Sequence, residues 1–300
     1  MLTLTGGCAR VGMAPDASTG ALTSASKPSV VATTTQIEDV ARVIGGEEIE
    51  VIGLMPRDAD PHSFEPTPQD VGKVASAKVV FENGIGLEGW IDELVKNAGG
   101  NQSVVVVSNG LQIGQISSQF GSGTTPDPHI WMNPLNMIVV TDNIVENLAK
   151  INAADAAKFR ARGEKYKAEL RALDKWAAAR LAKVPTANRK LVTTHDAMGY
   201  FAKRYGFQVL GTVIPGPDAD AETSAQQLAL LIGKIKAAKV PAIFAETSVN
   251  PKWIEQVANE TGVKVVHDLH IGSLGQVGQP NGTYLGFFRS DVAKIAEALQ

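Results

Sequence analysis

Three histidines carry the clearest chemical signal in this chain. Two stand in the same tripeptide, Asp60-Pro61-His62 and Asp127-Pro128-His129, and the third, His195, follows a short apolar run. The proline stiffens each tripeptide, and the aspartate before it could orient an imidazole or cap a turn. A neutral, oriented imidazole is what a transition metal requires. A single loop histidine is more often solvated or packed, so the repetition of the tripeptide is what favours a functional role.

The spacing of these histidines excludes a local metal motif. They lie 67 and 66 residues apart (129 − 62 and 195 − 129), whereas a zinc finger places its ligands a few residues apart in pairs. A shared site therefore requires the fold to bring them together, and that depends on the elements that precede each histidine.

In the first half of the chain, short β runs alternate with amphipathic helices. Strands are predicted at residues 30–34, 49–54, 79–82 and 104–107, and helices at 35–43, 68–77 and 87–96, with a further helix after Asn133-Pro134. Repeated βα units imply a parallel sheet covered on both faces, and such sheets bind ligands beyond the carboxyl ends of their strands. His62 and His129 follow the second and fourth predicted strands, so both are expected at that edge.

The second half repeats the pattern. Strands are predicted at 191–194, 207–213, 240–245 and 263–266, with helices that begin at Asp196, near Ser224, at Asn250-Pro251 and near Ser290. His195 directly follows the first of these strands, and it is therefore expected to face whatever lies between the two halves.

A long helix is predicted between the halves, from Asn152 to Lys183. Asn152 and Asp155 form a capping-box pattern, and apolar residues then recur at helical spacing from Phe159 to Leu181. At 1.5 Å per residue this helix would span roughly 45 Å. We interpret it as a spine between two lobes, with an ordinary surface helix of one large domain as the alternative. The predicted organisation is residues 29–151 for the first lobe, 152–184 for the linking helix and 185–300 for the second lobe.

Composition excludes several classes of protein. The 300 residues are 44% hydrophobic and 20% charged, with a net charge of −3 and no dense run of basic residues, so nucleic-acid binding is not expected. No apolar segment approaches the roughly 18–20 residues of a membrane span.

The start of the chain suggests an anchor. The only cysteine, Cys8, follows small residues, as at the end of a bacterial lipoprotein signal, although Thr5 stands where leucine is usual and the preceding sequence is short. Residues 1–28 are therefore predicted to be a signal remnant and a flexible tether, with lipid on Cys8. A free surface thiol is the alternative.

The chain resembles the solute-binding proteins of bacterial zinc and manganese ABC importers, the cluster A-I group of metal-binding lipoproteins. The motifs that carry the resemblance, in the family's order, are Asp-Pro-His-Ser-Phe-Glu-Pro-Thr at 60–67, Asp-Pro-His-Ile-Trp-Met-Asn-Pro at 127–134, Thr-His-Asp-Ala at 194–197, Ile-Phe-Ala-Glu-Thr-Ser at 243–248 and Gly-Thr-Tyr at 282–284. The resemblance implies an α/β fold of two lobes, each with a four-stranded parallel sheet flanked by helices, joined by one long rigid backbone helix. It implies metal ligands at His62, His129 and His195.

One position departs from the family. An aspartate usually supplies the fourth ligand in the loop after the last strand, and Gly272 stands there instead. Glu246, Asp268, His270 or a water are the substitutes, and we favour Glu246 because it ends an interior strand. A second-sphere or helix-capping role for Glu246 is the alternative.

The expected function is that of a metal receptor outside the cytoplasmic membrane, in the periplasm or at the cell surface. It would be a monomer that captures Zn²⁺ in the interlobe cleft and delivers it to an ABC permease and its ATPase. Mn²⁺ is the first alternative, since a second carboxylate would shift preference towards it. A hydrolytic enzyme with a three-histidine zinc and a surface adhesin are the others, although no motif places a general base beside a zinc-bound water.

Overall fold

The computed structural model describes residues 1–3, 7, 27–117, 123–216 and 223–300. Cys8 and nearly all of the predicted tether lie outside the described residues, so the predicted lipid attachment stays a prediction. None of the described helices combines the length and the apolar character needed to cross a bilayer.

The first lobe is built on a parallel sheet with strand order β2-β1-β3-β4. The strands are β1 (Ser29–Ala32), β2 (Glu50–Gly53), β3 (Val79–Glu82) and β4 (Ser103–Val106). The helices are α1 (Thr35–Gly45), α2 (Pro68–Ser76), α3 (Ile91–Asn97) and α4 (Asn136–Ile151). A small antiparallel hairpin of β5 (Gln115–Ser117) and β6 (Thr124–Pro126) lies between β4 and α4. Its residues are mostly exposed, so no apolar alternation marked it in the sequence.

The second lobe repeats this topology with strand order β10-β9-β7-β8. The strands are β7 (Lys190–Thr193), β8 (Gln208–Thr212), β9 (Ala242–Glu246) and β10 (Lys264–Leu269). The helices are α6 (Gly199–Tyr205), α7 (Ala225–Ala238), α8 (Lys252–Thr261) and α9 (Tyr284–Leu299). In both sheets the first strand in the chain lies between the second and the third. The predicted α/β fold with two four-stranded parallel sheets is confirmed.

Two helices of the second lobe begin elsewhere than predicted. The helix α6 starts at Gly199 rather than Asp196, because residues 194–196 form a bend in which Ala197 N bonds to His195 O. The helix α9 starts at Tyr284 rather than Ser290, because the Thr283 hydroxyl accepts from Gly286 N and caps it earlier.

The helix α5 (Ala156–Leu181) joins the two lobes and spans about 39 Å. The helical segment begins with a 3-10 turn at Ala153–Asp155 that has the predicted capping residue Asn152 at its N-cap position, and the α-helix proper starts at Ala156. Asn152 donates from Nδ2 to the Asp155 carboxylate at 2.9 Å, and neither residue makes a side-chain cap of the helix backbone. The predicted apolar stripe is nevertheless buried. Its members are Phe159, Tyr166, Leu170, Leu173, Ala177 and Leu181.

The two lobes share one hydrophobic core. Phe81 of β3 and Phe244 of β9 belong to the same cluster of buried side chains, together with Leu170 of α5. The opposite face of each sheet packs in a cluster of its own, for example around Val80 in the first lobe and Ile243 in the second. Burial of both faces explains why the strands are continuous apolar runs. The lobes are thus joined by more than the helix, and their boundaries at 151/152 and 184/185 stay a prediction.

Candidate metal site

His129 follows the β5-β6 hairpin and is held by the aspartate of its own tripeptide. The Asp127 Oδ1 atom accepts from His129 N at 3.0 Å and lies 2.8 Å from His129 Nδ1. His129 is fully buried. A carboxylate on Nδ1 holds the proton of a neutral imidazole at that nitrogen, so the lone pair of Nε2 points the other way.

His195 is oriented in the same manner from the second lobe. It follows β7, and Glu246 Oε1 at the end of the neighbouring strand β9 accepts from His195 N at 3.0 Å and lies 2.9 Å from His195 Nδ1. Both residues are buried. In this sheet β7 and β9 are the adjacent interior strands, which is where a parallel sheet of this order opens a crevice at its carboxyl edge.

His62 lies in the loop between β2 and α2 and is half-buried. The Asp60 carboxylate accepts from His62 N and from the Ser63 hydroxyl, each at 3.2 Å, so this aspartate closes the turn that presents the imidazole. The loop then enters α2 with Thr67 as the N-cap and Pro68 as the first residue, and the Asp70 carboxylate accepts from Thr67 N at 2.8 Å.

The three imidazoles meet at their Nε2 atoms. His129 Nε2 is 3.1 Å from His62 Nε2 and 3.2 Å from His195 Nε2. One ligand atom from each residue lies within 4.8 Å of those from the other two. A tetrahedral zinc with bonds of 2.0–2.1 Å would place its ligand nitrogens about 3.3 Å apart. The geometry therefore suits one ion held by three nitrogens from two lobes.

Burial and charge act differently on the two buried imidazoles. Burial, together with the neighbouring His195 and His62, holds the pKa of His129 well below its usual range. Burial also opposes protonation of His195, but the carboxylate of Glu246, with smaller contributions from Asp60 and Asp196, raises the pKa of His195. Burial raises the pKa of Asp127 to about 6. In the metal-free protein a proton is thus held more readily at His195 than at His129.

Glu246 does not lie where a fourth ligand would be. It contacts Nδ1 of His195, on the opposite side of the ring from Nε2, and within the described residues it does not join the histidine cluster. Glu246 is the predicted substitute for the missing aspartate, but its carboxylate lies 2.9 Å from His195 Nδ1, where it can orient the ring and does not join the Nε2 atoms.

The remaining candidates also lie outside the cluster. His270 lies near Asn281 and Asp58, and the Asp268 carbonyl accepts from Lys294. Gly272 lies between the two lobes: a Cβ there would be 3.0 Å from Ser248 Oγ of the second lobe and 3.3 Å from Pro61 Cδ of the first. Its carbonyl accepts from Gln36 Nε2 at 3.2 Å. Of the four predicted site residues, the structure thus brings together His62, His129 and His195.

A network that the sequence did not reveal supports the His129 loop. Glu88, which is buried, accepts from Thr33 Oγ1 and from the backbone N–H groups of Asn83 and Gly84. Asn83 in turn donates to the carbonyl of Pro128 at 3.0 Å. Burial raises the pKa of Glu88 to about 7. No pattern in the sequence marked this network, because the Thr33–Glu88 and Asn83–Pro128 contacts join positions 55 and 45 residues apart.

Known proteins resemble this chain over nearly its whole length. The family described as zinc-uptake complex component A, periplasmic (ZnuA), matches residues 30–298. The manganese-binding lipoprotein MntA of Bacillus subtilis (strain 168) is 34% identical over 276 residues, 90% of this chain and 89% of that protein. The iron ABC transporter substrate-binding lipoprotein MtsA of Streptococcus pyogenes serotype M1 is 32% identical over 289 residues, 94% and 92% of the two chains.

The same resemblance appears in three dimensions. The periplasmic zinc-binding protein TroA from Treponema pallidum has a TM-score of 0.84 and 30% identity, covering 91% of this chain and 99% of that one. These three relatives are named for three different metals, so their names alone do not choose between the ions.

Proposed function

Because the chain belongs to the ZnuA family, whose relatives include substrate-binding lipoproteins of metal ABC importers, we propose that it captures Zn²⁺ outside the cytoplasmic membrane and delivers it to a permease. The observation that carries this proposal is the convergence of three imidazole Nε2 atoms from two lobes. His62 and His129 are the proposed ligands from the first lobe and His195 from the second. The ion is cargo, so the site has to bind it and later release it.

Zinc is the proposed cargo because of the donor set. Three neutral imidazoles suit Zn²⁺, whereas carboxylate oxygens favour Mn²⁺, and the clustered ligand atoms in the described part of the chain are all histidine nitrogens. The nearest carboxylates, Asp127 and Glu246, contact Nδ1 atoms on the far sides of the rings. A water is the proposed fourth ligand. Mn²⁺ or Fe²⁺ as the physiological cargo is the alternative, named by the relatives MntA and MtsA.

The partners and location follow from the family. The proposed partners are an ABC permease and its ATPase, and the proposed location is the periplasm or the cell surface. Lipid on Cys8 is the proposed anchor, since several relatives are named lipoproteins. A monomer is the proposed state, because one chain supplies all three histidines of the cluster.

We propose that the site is not catalytic. A hydrolytic zinc needs a general base beside its water, and the carboxylates within hydrogen-bond distance of the His129 and His195 rings, Asp127 and Glu246, each contact an imidazole Nδ1. A turnover screen of zinc-loaded protein against ester and phosphoester substrates should show no rate above that of the His195→Ala variant. A zinc-dependent rate would favour the enzyme alternative.

The decisive experiment is metal analysis of protein purified without added metal, followed by competition between zinc and manganese. We expect about one zinc per chain and displacement of manganese by zinc, with three nitrogen ligands at about 2.0–2.1 Å by X-ray absorption. The His62→Ala, His129→Ala and His195→Ala variants should each lose this stoichiometry. Full zinc binding in any of the three would remove that histidine from the site, and absence of metal binding in the wild type would overturn the proposed function.

A further inference from the structure

The segment that carries His129 is tied to both lobes. In the first lobe, Asn83 donates to the carbonyl of Pro128 at 3.0 Å. Two tyrosines of the second lobe donate to the carbonyls at either end of the segment: Tyr200 to Asp127 O at 3.1 Å and Tyr284 to Trp131 O at 2.7 Å. His129 belongs to the first lobe by sequence, yet the second lobe fixes its segment from both sides.

The hydroxyl of Tyr200 bridges two backbone groups. It accepts from Gly114 N at 2.9 Å and donates to Asp127 O at 3.1 Å. Asp127 N also donates to Gly114 O at 2.9 Å. Tyr200 is only 7% exposed, so loss of its hydroxyl would leave the part-buried Gly114 N–H and the buried Asp127 carbonyl without this partner. One side chain of α6 therefore determines where the backbone of Asp127 lies.

The residue before Tyr200 touches the carboxylate of the same aspartate. A Cβ at Gly199 would lie 2.6 Å from Asp127 Oδ2, closer than a side-chain carbon approaches an oxygen. The other oxygen, Oδ1, holds His129 through both N and Nδ1. The start of α6 thus contacts the main chain and the side chain of the residue that orients His129.

We propose that Tyr200 is a positioning residue of the metal site, through which the second lobe sets the direction of a ligand supplied by the first. Its hydroxyl fixes Asp127, and Asp127 fixes the His129 ring. The inference rests on the proposed function, because it assigns a role in metal retention. It also implies that the geometry of His129 relative to His195 depends on α6, which begins four residues after His195.

The test compares Tyr200→Phe with Tyr205→Phe. Tyr205 lies on the same helix and is equally exposed at 7%, but its hydroxyl donates to Asp174, which has no part in the histidine cluster. Each substitution removes one largely buried hydroxyl and leaves the ring, so both should lower thermal stability to a similar extent. We expect only Tyr200→Phe to release zinc faster, by about three- to tenfold, less than the 10–100-fold typical of direct partners of ligands.

Two further readouts separate positioning from general destabilisation. The visible spectrum of the Co²⁺-substituted protein should change in Tyr200→Phe and stay unchanged in Tyr205→Phe. In metal-free protein, the amide hydrogens of Asp127 and of residues 129–132 should exchange faster in Tyr200→Phe alone. A Gly199→Ala variant, which presses on Asp127 Oδ2, should reproduce the spectral change with the Tyr200 hydroxyl intact.

The outcomes distinguish this inference from the function on which it rests. If the wild type binds zinc and Tyr200→Phe matches Tyr205→Phe in release rate and spectrum, the positioning role of Tyr200 is overturned. If the wild type binds no metal, the proposed function fails, while the exchange measurement on metal-free protein still decides whether Tyr200 fixes the His129 segment.

Discussion

At the scale of single residues, two of the three histidines are held by the same hydrogen-bond arrangement. Asp127 and Glu246 each place one carboxylate oxygen between the backbone N–H and the Nδ1 of a histidine. This arrangement fixes the ring and the position of its proton, and it leaves Nε2 for the ion. The two contacts differ in range: Asp127 is two residues from its histidine in the chain, whereas Glu246 is 51 residues from His195 and lies on a different strand.

Replacing Glu246 with Gln tests the orienting role. The amide keeps the size of the side chain but holds the proton of His195 less firmly, so we expect zinc affinity to fall by about 10–100-fold. A competition titration against a fluorescent chelator measures this, with His195→Ala as the reference for complete loss of the ligand. Wild-type affinity in Glu246→Gln would show that the carboxylate contributes only to packing.

Zinc binding should weaken as the pH falls. Neutral imidazole is the ligand form, and the pKa of His195 is raised above its ordinary value of 6.5 by Glu246 against the opposing effect of burial. Protons therefore begin to compete at His195 above pH 6.5, whereas His129, whose pKa is lowered by burial, stays neutral. We expect affinity to fall by about tenfold per pH unit below the pKa of His195, with one proton released per ion.

Titrations at pH 8, 7, 6 and 5 measure this dependence. In Glu246→Gln the charge that raises the pKa of His195 is gone, so the decline should begin at lower pH than in the wild type. Equal affinity at pH 8 and pH 5 would contradict histidine ligation.

At the scale of elements, the strands and most helices were predictable because their apolar runs obey simple periods. Every predicted strand is present, with ends within three residues of those predicted. The predicted strand ends also indicated where the three clustered histidines lie. The direction of a side chain beyond a strand end is set by tertiary contacts, so the sequence could not decide whether Glu246 faces the cleft or the ring of His195. The ties made by Asn83 and Tyr200 were unpredictable for the same reason.

The helix α5 gives a prediction at this scale. Ala168 is exposed in its middle, and proline there removes a backbone hydrogen bond and clashes with the preceding turn, at a cost of about 3 kcal/mol or more. Because the helix sets the spacing of the lobes that carry His129 and His195, we expect Ala168→Pro to unfold at lower urea concentration and to bind zinc more weakly.

The matched control is Ala168→Gly, which costs about 1 kcal/mol through helix propensity but keeps the helix hydrogen bond. Its zinc affinity should equal that of the wild type. If Ala168→Pro folds and binds zinc as tightly, the shared core around Leu170 holds the lobes in register without a straight helix.

At the scale of the whole molecule, a metal ion held by the three histidines would join parts of the fold that lie far apart in the sequence. His62 and His195 come from different lobes, and a ligand that binds only the folded state stabilises it. Zinc at one hundred times its dissociation constant should therefore raise the free energy of unfolding by about 2.7 kcal/mol.

Calorimetry with and without zinc measures this effect. For a chain of this size the gain corresponds to an increase in Tm of roughly 4 °C. A chelator should reverse the increase, and His129→Ala should show none. An equal increase in His129→Ala would mean that zinc stabilises the protein from some other place.

The three histidines differ in solvent exposure, and this difference determines which metal–histidine bond a chelator from solution can replace first. His129 and His195 are 0% and 1% exposed, whereas His62 is half-buried in its loop. A chelator from solution would therefore reach a bound zinc ion beside His62 first. Zinc removal would be associative: the chelator binds the ion and displaces the His62 imidazole before the other two. Zinc removal should then be first order in a small chelator such as glycine, and a bulky chelator of equal affinity should act more slowly because it cannot enter the cleft.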